Sequence, residues 1–143
     1  MTAMGAGKEL MRAQAAQLMA AINARDFDAA GELPLEPESE FRSIIAASEG
    51  ATYRGIEGLR QWARDVDAVW EDFRIETLEL VPAGDDCAVL VMHLTGTARA
   101  SGVPLDSTIG QVWHWREGRL WLNEAYADPR DAFAAAGIGP LPP

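Results

Sequence analysis

A short run near the C-terminus, residues 110–126, combines three of the five tryptophans with two candidate polar groups, Gln111 and Glu124. A carboxylate among apolar side chains has a raised pKa, because burial disfavours its charged form. Such a group suits proton transfer near neutral pH. Glu124 is therefore the candidate general acid or base, and the alternative is an ion pair with Arg42 or an exposed position in a dimer interface. Gln111 is a candidate ligand-facing amide or, alternatively, a structural amide. The tryptophans of the run are Trp113, Trp115 and Trp121.

The role of Glu124 depends on the register of the hairpin that this run predicts. A two-residue loop at Glu117-Gly118 would place Gln111 opposite Glu124. A three-residue loop with a bulge at Gly118 would place Gln111 opposite Asn123 instead. We favour the two-residue loop because it is the more common, and the three-residue loop stays open. A slip of one residue moves every side chain to the other face of the sheet.

Arg42 is the candidate polarising group. It lies in a segment, residues 39–47, that reads as a strand with Glu40 and Arg42 on one face, and we expect this face to look inward. A guanidinium in a pocket would bind a carboxylate or an enolate-like oxygen. The alternative is a surface arginine that pairs with Glu38 or Glu40.

Apolar and aromatic residues are expected to form the walls of the same pocket. In the segment 87–100 an apolar set alternates with the set that contains His93, so we expect His93 to look outward, and His114 likewise alternates away from Gln111. Tyr53 either covers the mouth with its hydroxyl inward or packs on the helix that follows. The predicted pocket residues are Leu18, Tyr53, Trp62, Met92, Leu94, Gln111, Trp113 and Tyr126.

Helices are predicted around these candidates. Residues 8–24 have helix-forming composition with an apolar stripe, and Asp26 is a plausible cap for a second, short helix. Residues 56–73 form the clearest amphipathic pattern. A short C-terminal helix is predicted between the cap Asp128 and the stop at Gly137.

From residue 74 onward the pattern changes to long β-like segments that are separated by turns rich in Pro, Gly and Asp. Helices followed by an antiparallel meander indicate an α+β fold. A strongly curved, mostly antiparallel sheet, closed on one side by three N-terminal helices, makes a cone-shaped α+β barrel. The mouth of such a cone is a natural pocket.

Composition indicates one globular domain over residues 1–143, with a core at about 10–137, a flexible N-terminus and a loosely held Pro-rich tail. The hydrophobic share is 48%, and the net charge is −10. This charge argues against nucleic acid and anionic membranes as partners. The sequence shows neither a signal peptide nor a membrane-spanning stretch, so a cytoplasmic location is expected.

Cysteine and histidine are too sparse for a metal site or a disulfide. Cys87 is the one cysteine, and the two histidines lie 21 positions apart. Structural and catalytic zinc sites need ligands at shorter spacings. We therefore expect neither a metal nor another cofactor.

Five local motifs, in their order and spacing, resemble the nuclear transport factor 2-like superfamily and, within it, the SnoaL-like (polyketide cyclase-like) group. The resemblance covers about residues 10–137. Each motif alone is weak, and their combination is fairly specific for the fold. The motifs are Ala24–Asp28, Glu40–Arg42, Tyr53–Trp62, Ser101–Pro104 and Val112–Tyr126.

The resemblance implies a cone-shaped cavity and usually a homodimer through the outer sheet face. The superfamily includes ketosteroid isomerases, polyketide cyclases, dehydratases, epoxide hydrolases and non-catalytic binders, so the fold does not decide the activity. The tyrosine, the aspartate base and the second acid of ketosteroid isomerases fall on Leu18, Arg42 and Gln111. Because an arginine is no base at neutral pH, the chain is not expected to be a ketosteroid isomerase.

Two hypotheses follow. In the first, the pocket binds a hydrophobic small molecule with a carbonyl or carboxylate group. Cofactor-independent isomerase, dehydratase or cyclase chemistry would then use Glu124 for proton transfer, while Arg42, Gln111 and Tyr53 orient the ligand. In the second, the protein is a non-catalytic ligand-binding or dimeric assembly module.

Overall fold

The computed structural model of the protein describes residues 2–30, 32–44 and 51–138. The helices in these ranges are α1 (Thr2–Asn23), α2 (Phe27–Ala30), α3 (Gly55–Val69) and α4 (Pro129–Ala135). The strands are β1 (Leu35–Ser43), β2 (Ala51–Arg54), β3 (Trp70–Pro82), β4 (Cys87–Ala98), β5 (Pro104–Arg116) and β6 (Arg119–Tyr126).

The six strands form one curled, unclosed sheet in the order β2-β1-β6-β5-β4-β3. Neighbouring strands are antiparallel, except that β1 and β6 are parallel. Helices α1 and α3 pack against the inner face of the sheet, and α2 contacts both of them. This arrangement confirms the predicted α+β cone.

The main core lies between the inner face and the helices. Leu90, Met92 and Leu94 are fully buried in it, which confirms that the wholly apolar side of β4 looks inward. Val89 and Val112 belong to a second, smaller core on the outer face. Burying one face of a sheet against helices is the usual way to remove its apolar side chains from water.

Helix α4 covers part of the outer face, above β5. Asp128 caps it by accepting a hydrogen bond from the backbone N–H of Arg130 at 2.9 Å, as predicted. Gly110 allows the close approach, because a Cβ atom there would lie 2.7 Å from Cβ of Ala132 and 2.9 Å from Cα of Pro129. The helix ends at Ala135, shortly before the expected stop.

Two helix boundaries differ from the predictions. Helix α1 begins at Thr2, six residues before the predicted start. Helix α3 ends at Val69, because Trp70 already has extended backbone angles (φ −117°, ψ 132°) and begins β3. The apolar residue Phe73 belongs to the strand, where it continues the core without continuing the helix.

The first strand begins earlier than predicted, at Leu35, and includes Pro37. Its pairing with β6 is irregular between Leu35 and Glu40, so the missing N–H of Pro37 falls outside the regular ladder. The strand ends at Ser43, and the rest of the predicted segment 45–47 lies outside the described residues. The Pro-rich tail after residue 138 lies outside them too.

The last residue of α1 closes part of the β3 edge of the sheet. The side-chain amide nitrogen of Asn23 donates to the carbonyl of Ile75 at 2.9 Å, and the backbone N–H of Ile75 donates to Oδ1 of Asn23 at 2.8 Å. One asparagine therefore occupies both backbone groups that Ile75 turns away from β4. These two bonds fix Ile75 against the end of α1.

Candidate functional site

A small cavity, here called the inner cavity, lies between the inner face of the sheet and helices α1 and α3. Its volume is about 20 Å³. A water molecule needs about 10–15 Å³ by a comparable measure, so the inner cavity has room for one small polar group. Its lining residues are Leu18, Met19, Ile22, Phe41, Arg42, Ser43, Leu59, Trp62, Ile75, Gln111 and Asn123.

Two amides belong to the polar part of this lining, together with Arg42 and Ser43. The indole N–H of Trp113 donates to Oε1 of Gln111 at 2.8 Å, and Nδ2 of Asn123 donates to the same oxygen at 3.3 Å. Within the described part of the chain, Nε2 of Gln111 and Oδ1 of Asn123 form no hydrogen bond to protein groups. Among the mostly apolar lining, the amide nitrogen of Gln111 and the amide oxygen of Asn123 are therefore available to a bound molecule.

The other inner tryptophans are held by similar bonds. The indole N–H of Trp62 donates to Oγ of Ser43 at 2.9 Å, and that of Trp115 donates to Oε1 of Gln14 at 2.8 Å. The rings of Trp113 and Trp115 lie 5.8 Å apart between centroids. Trp113 and Trp115 on the sheet and Trp62 on α3 therefore fill the core, and Trp62 also borders the cavity.

A larger depression, the α1–β3 groove, runs along α1 and the edge strand β3. Its volume is about 480 Å³. Met19 and Ile75 line both this groove and the inner cavity, so they separate the two spaces. The remaining groove residues are Arg12, Ala15, Ala16, Asn23, Arg74, Glu76, Thr77, Leu78, Glu79, Leu80, His93 and Thr95.

A β-bulge sets the register of the β5–β6 hairpin. The loop has two residues, as favoured, and Trp115 pairs with Leu120. His114 then pairs with Leu122, so Trp121 is an extra residue without a partner on β5. A bulge of this kind shifts the following residues by one position relative to the partner strand.

Both registers considered from the sequence are therefore wrong. Gln111 pairs with Ala125, and Asn123 lies beside Gln111 on the inner face. Glu124 pairs with Val112, which packs in the outer core. The bulge thus brings an amide to the cavity and turns the candidate carboxylate to the opposite side of the sheet.

Glu124 belongs to an outer charged cluster with Arg42, His114 and Glu40. Nη1 of Arg42 lies 2.8 Å from Oε2 of Glu124, and Nη2 lies 3.4 Å from Oε1 of Glu40. Nε2 of His114 lies 3.6 Å from Oε1 of Glu124. The expectation that the side chain of Arg42 looks inward is wrong, because this side chain is 49% exposed and pairs on the outer face. The alternative, a surface arginine that pairs with Glu40, is confirmed.

Two tyrosines predicted for the pocket lie elsewhere. Tyr126 pairs with Gly110 and packs on the outer core; burial, and then the charge of Glu124, raises its pKa. The phenol of Tyr53 donates to Oδ2 of Asp65 on α3 at 2.7 Å, so this residue packs on the helix, which was the alternative. Burial and this hydrogen bond raise the pKa of Tyr53 to about 12.

Of the predicted pocket residues, the structure brings Leu18, Trp62 and Gln111 together around the inner cavity. Met92, Leu94 and Trp113 are buried in the core and do not border it. Sequence reasoning missed Met19 among others, and it placed Asn123 beside Gln111 only in the three-residue alternative. Met19 directly follows the predicted stripe residue Leu18, whereas the bulge that places Asn123 inward has no clear sequence signal. Contact of any of these residues with a ligand stays a prediction.

The described residues contain no group of three or more His, Cys, Asp or Glu side chains arranged to hold a metal ion. None of the helices in the described ranges is long and apolar enough to cross a membrane.

A sequence profile of the SnoaL-like domain matches residues 15–123, which is most of the chain. The chain belongs to the SnoaL-like family. None of the curated proteins compared with it matches.

Solved structures share the fold of this SnoaL-like chain. A hypothetical protein from Catenulispora acidiphila with a ketosteroid isomerase-like fold, in complex with trimethylamine, has a TM-score of 0.70 at 18% identity, over 87% of this chain and 92% of that one. A Mycobacterium tuberculosis protein in complex with estradiol-17beta-hemisuccinate has a TM-score of 0.64 at 12% identity, over 79% and 89%. A putative polyketide cyclase from Sinorhizobium meliloti has a TM-score of 0.60 at 25% identity, over 78% and 92%.

Proposed function

We propose that this SnoaL-like protein binds a small, largely apolar molecule that reaches the inner cavity from the α1–β3 groove. The observation that carries the proposal is the shared wall, Met19 and Ile75, between a cavity of about 20 Å³ and a groove of about 480 Å³. Pockets for small molecules commonly measure about 300–1,000 Å³. The groove alone falls in this range, and the cavity adds a polar end to it.

Met19 is the movable part of this wall. A methionine side chain is unbranched and has three rotatable bonds, so it adapts to changes in its surroundings. Ile75 is β-branched and therefore stiff at χ1. Its backbone is also held by the two hydrogen bonds to Asn23. Rotation of Met19 would join the groove to the cavity while Ile75 stays in place.

The lining favours binding over proton transfer. Arg42 is the one ionisable residue that borders the described cavity, and its guanidinium pairs with Glu124 and Glu40 on the outer face. The acid–base role predicted for Glu124 draws no support from this placement. Two of the fold neighbours were crystallised with small organic molecules, and a third is described as a putative polyketide cyclase. These descriptions support a ligand-binding role for the same fold here.

Toluene is a suitable first probe, because it is apolar and uncharged. In methyl-labelled protein, toluene is expected to shift the NMR signals of Leu18, Ile22 and Leu59, which line the cavity. Met19→Ala removes the movable wall, so we expect toluene to bind it at least about fivefold more tightly, because each buried methylene contributes about 0.8 kcal/mol.

Val103→Ala is the matched control, since Val103 is 58% exposed in the turn between β4 and β5. It should bind toluene as the unchanged protein does. If toluene shifts none of the three cavity methyl signals, in either the unchanged protein or Met19→Ala, the proposed function is wrong.

A homodimer through the outer sheet face is a second proposal, and it would support an assembly role. Helix α4 covers part of that face, and Trp121 lies on the part beyond it. The guanidinium of Arg116 lies 4.4 Å from the Trp121 ring centroid, in a patch that also contains Glu36 and Glu38. Oppositely charged residues around an aromatic side chain suit contact with a second copy. Sedimentation velocity of Trp121→Glu should show a loss of dimer, and a monomeric unchanged protein would contradict the proposal.

A further inference from the structure

We propose that the ligand of the inner cavity carries an uncharged carbonyl group with a neighbouring N–H or O–H, and that Gln111 and Asn123 recognise this pair. The inference rests on the proposed function, because it concerns the same cavity. It assigns a chemical class to the polar end of the ligand. The shape of the cavity alone does not indicate that class.

Trp113 fixes the orientation of the Gln111 amide. An indole N–H is a donor only, so the atom of Gln111 that lies 2.8 Å from it must be the oxygen. The amide nitrogen, Nε2, then points away from Trp113. Gln111 is 8% exposed, and no described protein group accepts a hydrogen bond from this nitrogen.

The same oxygen fixes Asn123. Nδ2 of Asn123 donates to Oε1 of Gln111 at 3.3 Å, which leaves Oδ1 of Asn123 as an acceptor without a described partner. Asn123 is 6% exposed. Buried polar groups in native proteins are nearly always hydrogen-bonded, to protein, water or ligand. The amide nitrogen of Gln111 is therefore available as a donor, and the amide oxygen of Asn123 as an acceptor, to whatever occupies the cavity.

A carbonyl with an adjacent N–H or O–H matches this order of groups. Its oxygen accepts from Nε2 of Gln111, and its hydrogen is donated to Oδ1 of Asn123. Carboxamides, lactams and enolised dicarbonyl compounds share this arrangement. A volume of about 20 Å³ suits such a group, while the apolar remainder of the molecule would occupy the space of Met19 and the α1–β3 groove.

A carboxylate does not match. Both of its oxygens are acceptors, so one would face Oδ1 of Asn123 without a hydrogen between them. It would also be an ion in an apolar cavity, where an unpaired charge is costly. Arg42 does not compensate, because its guanidinium is engaged 2.8 Å from Glu124 on the outer face.

The test compares three probes with one ring: benzamide, benzoate and toluene. Titrations followed by NMR read the side-chain NH₂ signals of Gln111 and Asn123 directly. We expect benzamide to shift the Gln111 NH₂ signals and to bind at least about tenfold more tightly than benzoate, since one unsatisfied buried polar group is worth about 1–3 kcal/mol.

Two variants separate recognition from folding. Gln111→Glu keeps an acceptor for the Trp113 indole but replaces the amide donor, so benzamide binding should fall at least about tenfold. Asn123→Leu removes the free acceptor and should reduce benzamide binding while toluene binding is retained. Val103→Ala is again the control, because Val103 is 58% exposed in the turn between β4 and β5, and it should change neither benzamide nor toluene binding. The Trp113 indole N–H signal shows that each variant is folded.

The outcomes distinguish the two proposals. If toluene binds at the cavity but benzoate binds as tightly as benzamide, this inference is wrong and the proposed function stands. The inference is also wrong if Asn123→Leu binds benzamide unchanged. If none of the three probes shifts a cavity signal, the proposed function fails, and the inference fails with it.

Discussion

The two faces of the β5–β6 hairpin contain opposite kinds of polar chemistry. On the inner face, the neutral amides of Gln111 and Asn123 bond to each other and to the indole of Trp113. On the outer face, one residue further along each strand, Val112 and Glu124 pair, and the carboxylate binds Arg42. Neighbouring residues in the sequence therefore meet entirely different surroundings.

The difference follows from the cost of burial. A buried ion must be paired and fully hydrogen-bonded, whereas an amide needs only its hydrogen bonds. The inner amides are 6–8% exposed, and the side chains of the Arg42–Glu124 pair are 49% and 23% exposed. The charged pair thus lies where water can solvate it. The buried inner face contains the neutral amides.

The largest expected effect is a difference in the free energy of unfolding between tryptophan-to-alanine variants on the two faces. Trp113→Ala should lower the free energy of unfolding by about 3–5 kcal/mol, because Trp113 is fully buried and its loss leaves a large cavity. Trp121→Ala on the outer face should cost about 1 kcal/mol, since it loses its contacts with Arg116 and His114 on a partly exposed surface. Urea denaturation followed by circular dichroism measures both, and equal losses would contradict the assignment of the faces.

A smaller effect is expected for the outer ion pair. A double-mutant cycle with Arg42→Met and Glu124→Gln should give a coupling free energy of about 1 kcal/mol or less, because the pair is partly exposed. The coupling should decrease as NaCl is added, since salt screens exposed charges. A coupling of several kcal/mol that salt does not change would place this pair in a buried environment and would abolish the contrast between the faces.

The smallest effect is a change in titration on the outer face. Burial and the charge of Glu124 raise the pKa of Tyr126, so Glu124→Gln should lower it toward its ordinary value. A raised folded-state pKa keeps the phenol neutral in the folded protein. The resulting stabilisation is complete below the unfolded pKa of about 10 and is lost as pH rises through the folded pKa.

Absorbance titration at alkaline pH measures this change. Tyr53 is the internal control, because its pKa of about 12 depends on burial and on Asp65 rather than on Glu124. If Glu124→Gln leaves the titration of Tyr126 unaltered, Glu124 does not lie beside it on the outer face.

Much of the fold could be predicted, because the spacing of apolar residues along a strand or a helix depends directly on which face is buried. The side of β4 that contains Leu90, Met92 and Leu94 shows no polar residue, and it faces the core. Asp128 followed by Pro129 predicted the start of α4 for a local reason, since both residues act within one turn.

The candidate site was harder to predict because it depends on one irregular residue. The hairpin loop has the predicted two residues, but the bulge at Trp121 shifts the strand beyond it. Trp121 is stabilised outside the ladder by His114 and Arg116, which are tertiary contacts that a sequence pattern does not reveal. For this reason Asn123 faces the cavity, and Glu124, which the favoured register placed there, lies on the outer face.

The bonds between Asn23 and Ile75 also bear on the behaviour of this protein in a crowded cell. An unpaired strand at the edge of a sheet is a template for pairing with other chains, and hence for aggregation. In β3 the backbone groups of Ile75 that face away from β4 are already bonded to one side chain, and a bulge interrupts the strand on each side of this residue. The end of α1 therefore blocks pairing with another strand at this residue of the edge.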